Sequence, residues 1–216
     1  MDKEQLYELE DVYDRIAEKR ECGLNSILTH IRNLRWEMGK KEERTPIESV
    51  SFRMKTFASA LEKCERKGWE PSEETFEQMH DIAGVRIIVP FLDDIERVKA
   101  ALLRRQNLEL AEEPRDYVKH PKESGYRSYH LIVKTKVPFE YEDEWILVEI
   151  QIRTILQNTW SSLEHKLRYK NQDPAAEAAS EFAEFANLLY EKEICMMKLR
   201  DFNKIESVIK DDCAKK

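Results

Sequence analysis

An α+β fold, built on a mixed sheet of about five strands flanked by helices, follows from three features of the 216-residue sequence. Apolar residues recur at helical spacing along both ends of the chain, the period drops to two in the middle, and only 5 glycines and 7 prolines are available for loops. Helices bring residues three and four apart onto one face, whereas strands alternate, so the change of period separates the two kinds of element.

Leu6, Leu9, Tyr13, Ile16, Leu24, Ile27, Leu28, Ile31 and Leu34 mark an amphipathic helix over 3–37, with a break expected near Gly23. The charged stretch Gly39–Arg44 ends it. Thr45-Pro46-Ile47-Glu48 has the form of a capping box with proline at the first helical position, and predicts a second helix from Pro46 to about Lys67. Gly68 and Pro71 stop that helix, and Ser72 opens a short third one over 73–79. Ile82–Val89 is β-branched and alternating, which predicts a strand. Asp93-Asp94 opens a helix to about Arg105, and Leu108–Val118 reads as a strand weakened by Pro114. Strands are expected over 128–137 and 145–153, joined by the acidic turn Glu140–Glu144. Helices return over 155–169 and, after Asp173-Pro174, to about Ile209, with Phe182, Phe185, Leu189, Met196, Leu199, Phe202 and Ile205 on one side. No repeat or low-complexity linker divides the chain, so 1–216 is expected to form one domain. It comprises a helical arm over 1–44, a core over 45–170 and a C-terminal helix over 171–216. The apolar stripes of the two terminal helices suggest self-association.

A net charge of −7 argues against a general grip on nucleic acid or anionic membrane. No apolar run approaches the roughly 20 residues needed to span a bilayer, and Met1–Glu10 lacks the pattern of a signal peptide, so the protein is expected in the cytoplasm. Cys22, Cys64, Cys195 and Cys213 form no CxxC pair, and the glycines make neither a P-loop nor a GxGxxG turn. Anionic ligands must therefore be met by side chains gathered locally.

The strand phases say where those side chains gather. Val85/Ile87/Val89, Tyr129/Leu131/Val133 and Val148/Ile150/Ile152 give aliphatic faces, which puts Arg86, Ser128, His130, Glu149, Gln151 and Arg153 on the side of the sheet away from the packed helices. That is either an ordinary solvated face or a site. Glu149, on an aliphatic strand, is solvent-exposed, a metal ligand or a general base; Asp81, just before a strand, caps a turn or binds a divalent ion. Two carboxylates near phosphates would suit Mg²⁺, which takes few protein ligands and keeps water and phosphate oxygens for the rest. Arg53, Lys55, Lys63, Arg66 and Lys67 form one basic segment, and Arg115–Arg127 combines four Arg/Lys with Tyr126 in a loop, a mix that fits bases and phosphates as well as solvent.

Taken together, SFRMK at 51–55, HDIAGVRI at 80–87, HPKESGYRSYHL at 120–131, VEIQIRT at 148–154 and WSSLEHKLRYK at 160–170 resemble the synthetase domain of the RelA/SpoT family, over roughly residues 45–170. The short length resembles the small alarmone synthetases, which implies synthesis without hydrolysis. The resemblance implies a sheet similar to that of nucleotidyltransferases, and transfer of the β,γ-pyrophosphate of ATP to the 3′-hydroxyl of GDP or GTP, giving ppGpp or pppGpp and AMP. It also implies roles. Arg53 and Arg86 would sandwich the adenine, and Lys55, Lys63 and Arg66 would hold the ATP phosphates. Asp81 would hold Mg²⁺, and Glu149 would share the ion and activate the 3′-hydroxyl. Tyr126 would stack on guanine and Asn158 would bond its edge. Arg115, Lys122, His130 and Gln151 would meet the acceptor's phosphates and ribose or hold the site's geometry. Small alarmone synthetases form tetramers, and some bind their own product, (p)ppGpp, between subunits, so both are expectations here. Redirection to an adenosine or RNA acceptor is disfavoured by Tyr126, Asn158 and the acidic balance, and a non-catalytic nucleotide binder by the presence of Asp81 and Glu149.

Overall fold

The computed structural model describes residues 3–41, 44–170 and 176–214, with side chains described over 3–40, 44–167 and 180–202. Helix α1, Lys3–Lys41, runs unbroken through Gly23. A Cβ there would lie 2.5 Å from Ile146 Cγ2 and 3.3 Å from Val148 Cγ2, so the glycine lets the helix approach the sheet and does not interrupt it. The expected break is absent because burial along the whole stripe outweighs one glycine's cost of about 1 kcal/mol. Leu24, Ile27, Ile31 and Leu34 are buried against the sheet, and Tyr13 and Ile16 enter a second, smaller core. The first helix is thus a core element, and its stripe is already covered.

The second helix does not begin at Pro46. Strand β1, Ser49–Met54, takes that stretch, while Thr45 Oγ1 accepts only from the Ile47 N–H at 3.4 Å. The six residues pair antiparallel with the strand that follows, from Ser49↔Ile88 to Met54↔Ala83. A capping box contributes about 1 kcal/mol, and a full ladder of backbone bonds outcompetes it. Helix α2, Phe57–Lys67, starts instead at Thr56, whose side chain accepts from Ser59 N, and ends at Gly68 with φ 66°. Helix α3, Glu73–Gln78, is capped by Ser72 as expected.

Strand β2, Ala83–Val89, leads to α4, Leu92–Leu102. The expected 108–118 strand is two short pieces, β3 Leu108–Leu110 and β4 Arg115–Asp116, because Pro114 has no N–H to give the ladder. Strands β5, Tyr129–Pro138, and β6, Asp143–Thr154, form the longest pair. Helices α5, Ile155–Lys170, and α6, Ala176–Ala214, follow; the expected break at Asp173-Pro174 and the side chain of Ile205 lie outside the described residues.

The six strands form one mixed sheet, ordered β1-β2-β6-β5-β3 with β4 also on β5; only β2 and β6 run parallel. Its apolar face, with Val85, Ile87, Leu131, Val133, Val148 and Ile150, packs on α1 and α4. The opposite face carries two cross-strand rungs. Ser51, Arg86, Gln151, His130 and Arg115 are successive register partners, and so are Arg53, Gly84, Glu149 and Ile132. This polar face is not wholly clear of helices, since Ser128 and Arg153 are buried where α5 closes its far end, with Thr154 and Gln157 buried under α6 beside it.

Candidate active site

The two rungs open two depressions that share one wall. The smaller, about 150 Å³, lies over β1, β2 and β6, between Arg53, Arg86, Glu149 and Gln151. Gly84 is its floor: sitting between Arg53 and Glu149 in register, it leaves the space a side chain would fill. The wider depression, about 400 Å³, takes Lys63, Arg66 and Lys67 from the end of α2, His80 and Asp81 from the turn before β2, and Arg115, Tyr117 and Lys122 from β4 and the loop after it. Its remaining wall is His130 and Glu149, so Glu149 faces both spaces.

The carboxylates are held as anions. Asp81 receives Lys63 Nζ at 2.7 Å and Lys55 Nζ at 3.3 Å. Burial pushes its pKa up, but the Lys63 hydrogen bond and the two ammonium charges outweigh that and hold it below the usual carboxylate range. Glu149 is 9% exposed. Burial again pushes it up, and the hydrogen bond and charge of His130 with the Gln151 hydrogen bond bring it below its ordinary value, against a smaller push from Asp81.

Glu149 belongs to a closed ring of side chains. Arg153 Nη2 donates to Tyr126 Oη at 2.6 Å and to Gln151 Oε1 at 2.8 Å, and Gln151 Nε2 donates to Glu149 Oε2 at 3.0 Å. Tyr126 Oη is 2.8 Å from His130 Nε2, and His130 Nδ1 is 3.1 Å from Glu149 Oε1. A guanidinium can only donate, so the Tyr126 oxygen accepts from Arg153, and an ionised carboxylate can only accept, so His130 Nδ1–H points at Glu149. A carboxylate has about four lone-pair sites, so each oxygen of Glu149 keeps one free for a ligand.

Most residues singled out from the sequence meet here. Arg53, Arg86 and Gln151 line the smaller space; Lys63, Arg66, Asp81, Arg115, Lys122 and His130 line the wider one; and Lys55 reaches it through Asp81. Arg115 is half exposed and paired with Glu112 at 2.5 Å. Tyr126 and Asn158 line neither space. The Tyr126 ring stands behind His130 with Lys122 Nζ and the Arg153 guanidinium each 5.0 Å from its centroid. Asn158, on α5, keeps a buried Oδ1 without a hydrogen-bond partner among the described residues, as does Arg86 Nε. Arg153 was on the polar face by phase but carried no expected role; its fixed distance of two residues from Gln151 was the available signal. Among the described residues no three His, Cys, Asp or Glu side chains form a metal cage, and no helix is long and apolar enough to cross a membrane.

Residues 52–174 match the region found in RelA/SpoT proteins. The chain belongs to the RelA/SpoT family. Among the relatives of this RelA/SpoT chain, GTP pyrophosphokinase YjbM of Bacillus subtilis (strain 168) is 43% identical over 148 residues, covering 68% of this chain and 69% of the relative. GTP pyrophosphokinase YwaC of the same organism is 42% identical over 158 residues, covering 71% and 75%. The crystal structure of small alarmone synthetase 1 from Bacillus subtilis bound to its product pppGpp superposes with a TM-score of 0.80 at 33% identity, over 88% of this chain and 96% of that one. In this family member α1 and α6 lie outside the matched stretch, yet α1 reaches the site: Tyr13 Oη donates to the Lys55 carbonyl at 2.6 Å. Burial first, then the Asp81 and Asp14 charges, push that phenol up to about 12, so it stays a donor.

Proposed function

We propose that this chain is one (p)ppGpp synthetase domain, transferring the β,γ-pyrophosphate of ATP to the 3′-hydroxyl of GDP or GTP with release of AMP. The observation that carries the reading is the position of Glu149 on the wall between two depressions, one flanked by two arginines and the other rich in cations around Asp81. Two substrates must meet at a shared boundary for a group to pass between them, and in-line placement is most of what such a transfer needs.

In this reading Arg53 and Arg86 hold the adenine in the smaller space. Lys55 and Lys63 leave Asp81 and join Arg66 on the ATP phosphates, where negative charge is concentrated. Arg115, Lys122, His130 and Gln151 meet the acceptor; its base goes to Tyr126 and Asn158, which line neither depression until Lys122 leaves the Tyr126 ring for a phosphate. The 3′-oxygen attacks the β-phosphorus as the bond to the α-phosphate oxygen breaks, and its proton passes to a free lone pair of Glu149. The donor set suits Mg²⁺, since Asp81 and Glu149 are hard anionic oxygens facing one space and the ion draws its other ligands from phosphates and water. Those two residues would hold it, and it would supply charge neutralisation at the transferring group.

The same reading covers setting and assembly. ATP and guanine nucleotides are cytoplasmic, and this reading places the protein with its substrates. Phe185, Leu188, Leu199 and Phe202 make an exposed apolar stripe on α6. A second copy of this chain is the proposed cover, leading to a tetramer by closed symmetry; a monomer by light scattering at micromolar concentration contradicts it. The activity test is incubation with γ-labelled ATP and Mg²⁺ and each of GDP, GTP and ADP. Label in a guanosine tetra- or pentaphosphate with AMP released is the expected result, and label only with ADP, or none from folded protein, overturns it.

A further inference from the structure

The loop between β4 and β5 carries Lys122 and Tyr126, and it is pressed against α6. Gly125 has φ 85°, and a Cβ there would meet Ala186 Cβ at 2.6 Å and Ala183 Cα at 3.0 Å. Arg127, on the other side of Tyr126, spans from loop to helix. Its Nη1 donates to the Val118 carbonyl at 2.6 Å, its Nη2 to Asn187 Oδ1 at 3.0 Å, and its guanidinium lies 4.1 Å from the Tyr190 ring centroid. Both neighbours of Tyr126 therefore dock on one helix, while the Tyr126 hydroxyl closes the ring to Glu149 on the other side.

The helix is itself fixed at points beyond the loop. Trp160 Nε1 donates to the Phe182 carbonyl at 3.0 Å, Glu193 accepts from Thr154 Oγ1 and Gln157, and Arg200 pairs with Asp93 at 2.8 Å. The contact points at 183, 186, 190, 193 and 200 are spaced three, four, three and seven apart, one helical face laid across the ends of the sheet. A loop leaning on an anchored helix loses its freedom before a ligand arrives, and binding then bears less ordering entropy.

We propose that α6, which lies outside the family-wide stretch, is part of the acceptor site, with Asn187 and Tyr190 as positioning residues that act through Arg127 on the loop bearing Lys122 and Tyr126. This rests on the reading of that loop as the guanosine-nucleotide side of the site. The affinity of a ligand for a segment docked only a fraction of the time falls by that fraction, so a loop docked one time in ten binds acceptor about tenfold more weakly.

The test is steady-state kinetics on the full chain with Mg²⁺, varying GDP at saturating ATP and ATP at saturating GDP, with the thermal unfolding midpoint of each variant. Tyr190→Leu and Asn187→Ala are expected to raise the GDP KM about tenfold with the ATP KM within about twofold of the parent, and Tyr190→Phe, which keeps the ring under the guanidinium, to restore the GDP KM. Arg127→Gln combined with Tyr190→Leu should be no worse than either alone, since both break one tether. Tyr126→Ala separates the proposal from the reading beneath it. If Tyr126→Ala raises the GDP KM and the α6 variants do not, the proposal fails and the reading stands. If the α6 variants raise both KM values together, or lower the unfolding midpoint with no KM split, α6 is general support only and the proposal fails. An unchanged GDP KM in Tyr126→Ala overturns both.

Discussion

His130 Nδ1 stands 3.1 Å from Glu149 Oε1, and the two lie on neighbouring strands offset by two residues of register, on the same face, His130 opposite Gln151 and Glu149 opposite Ile132. The imidazole thus fixes the direction of the carboxylate without covering all of it. A residue that must accept a proton from a substrate needs that combination of a held orientation and a free lone pair.

Glu149→Gln keeps shape and removes the anion. Turnover is expected to fall by about 10²–10⁴, the usual worth of a placed general base, with the fold retained and the unfolding midpoint lowered only by the one ring hydrogen bond that an amide cannot accept. Initial rates beside a thermal melt check it, and near-normal turnover would sink the assignment.

Tyr126→Phe keeps the ring and deletes the hydroxyl that joins His130 to Arg153. Leaving two buried partners short of a bond is expected to cost about 1–3 kcal/mol of stability. Chemical denaturation measures it, and Tyr126→Ala should lose more because packing goes as well.

Glu193 is a buried carboxyl whose pKa burial raises from 4.5 to about 7, against the Thr154 and Gln157 hydrogen bonds and the Arg127 charge. The folded state thus holds this proton more tightly than the unfolded chain, so the stability it contributes is complete below pH 4.5 and is lost as pH rises through about 7. Between about pH 5 and pH 8 the parent's unfolding midpoint should fall relative to that of Glu193→Gln, which cannot ionise. Parallel curves would remove Glu193 from the account.

Two glycines of α1 should respond in opposite senses. Gly23→Ala drives a methyl into Ile146, at 2.5 Å before relaxation, and should destabilise by about 1–3 kcal/mol. Gly39→Ala meets nothing within 4 Å and should stabilise by up to about 1 kcal/mol. Melts of the two single variants decide both.

What could be read from the sequence was local. Alternation in 82–89, 128–137 and 145–153 put Arg86, His130, Glu149 and Gln151 on one face before any pairing was known, and the pairing then brought them together. Thr45–Glu48 misled because a cap signal lies within four residues, whereas the ladder that overrode it joins Ser49 to Ile88. Arg153 acquires its place only when β5, β6 and α5 come together around it, through Tyr126, Gln151 and Ser161. Neither Gly23 nor Gly125 signals in sequence that a neighbour's methyl group will sit where its own side chain would be.

The one parallel pairing, β2 with β6, brings Gly84 and Arg86 beside Glu149 and Gln151 from opposite halves of the chain. A polypeptide still emerging from the ribosome has β2 and its arginine long before it has β6 and its carboxylate. Pairing of strands so distant in sequence is slow to form and comes late. Competence to make a signal nucleotide therefore arrives in one step, after synthesis has passed the second strand, and partial translation products are silent by construction.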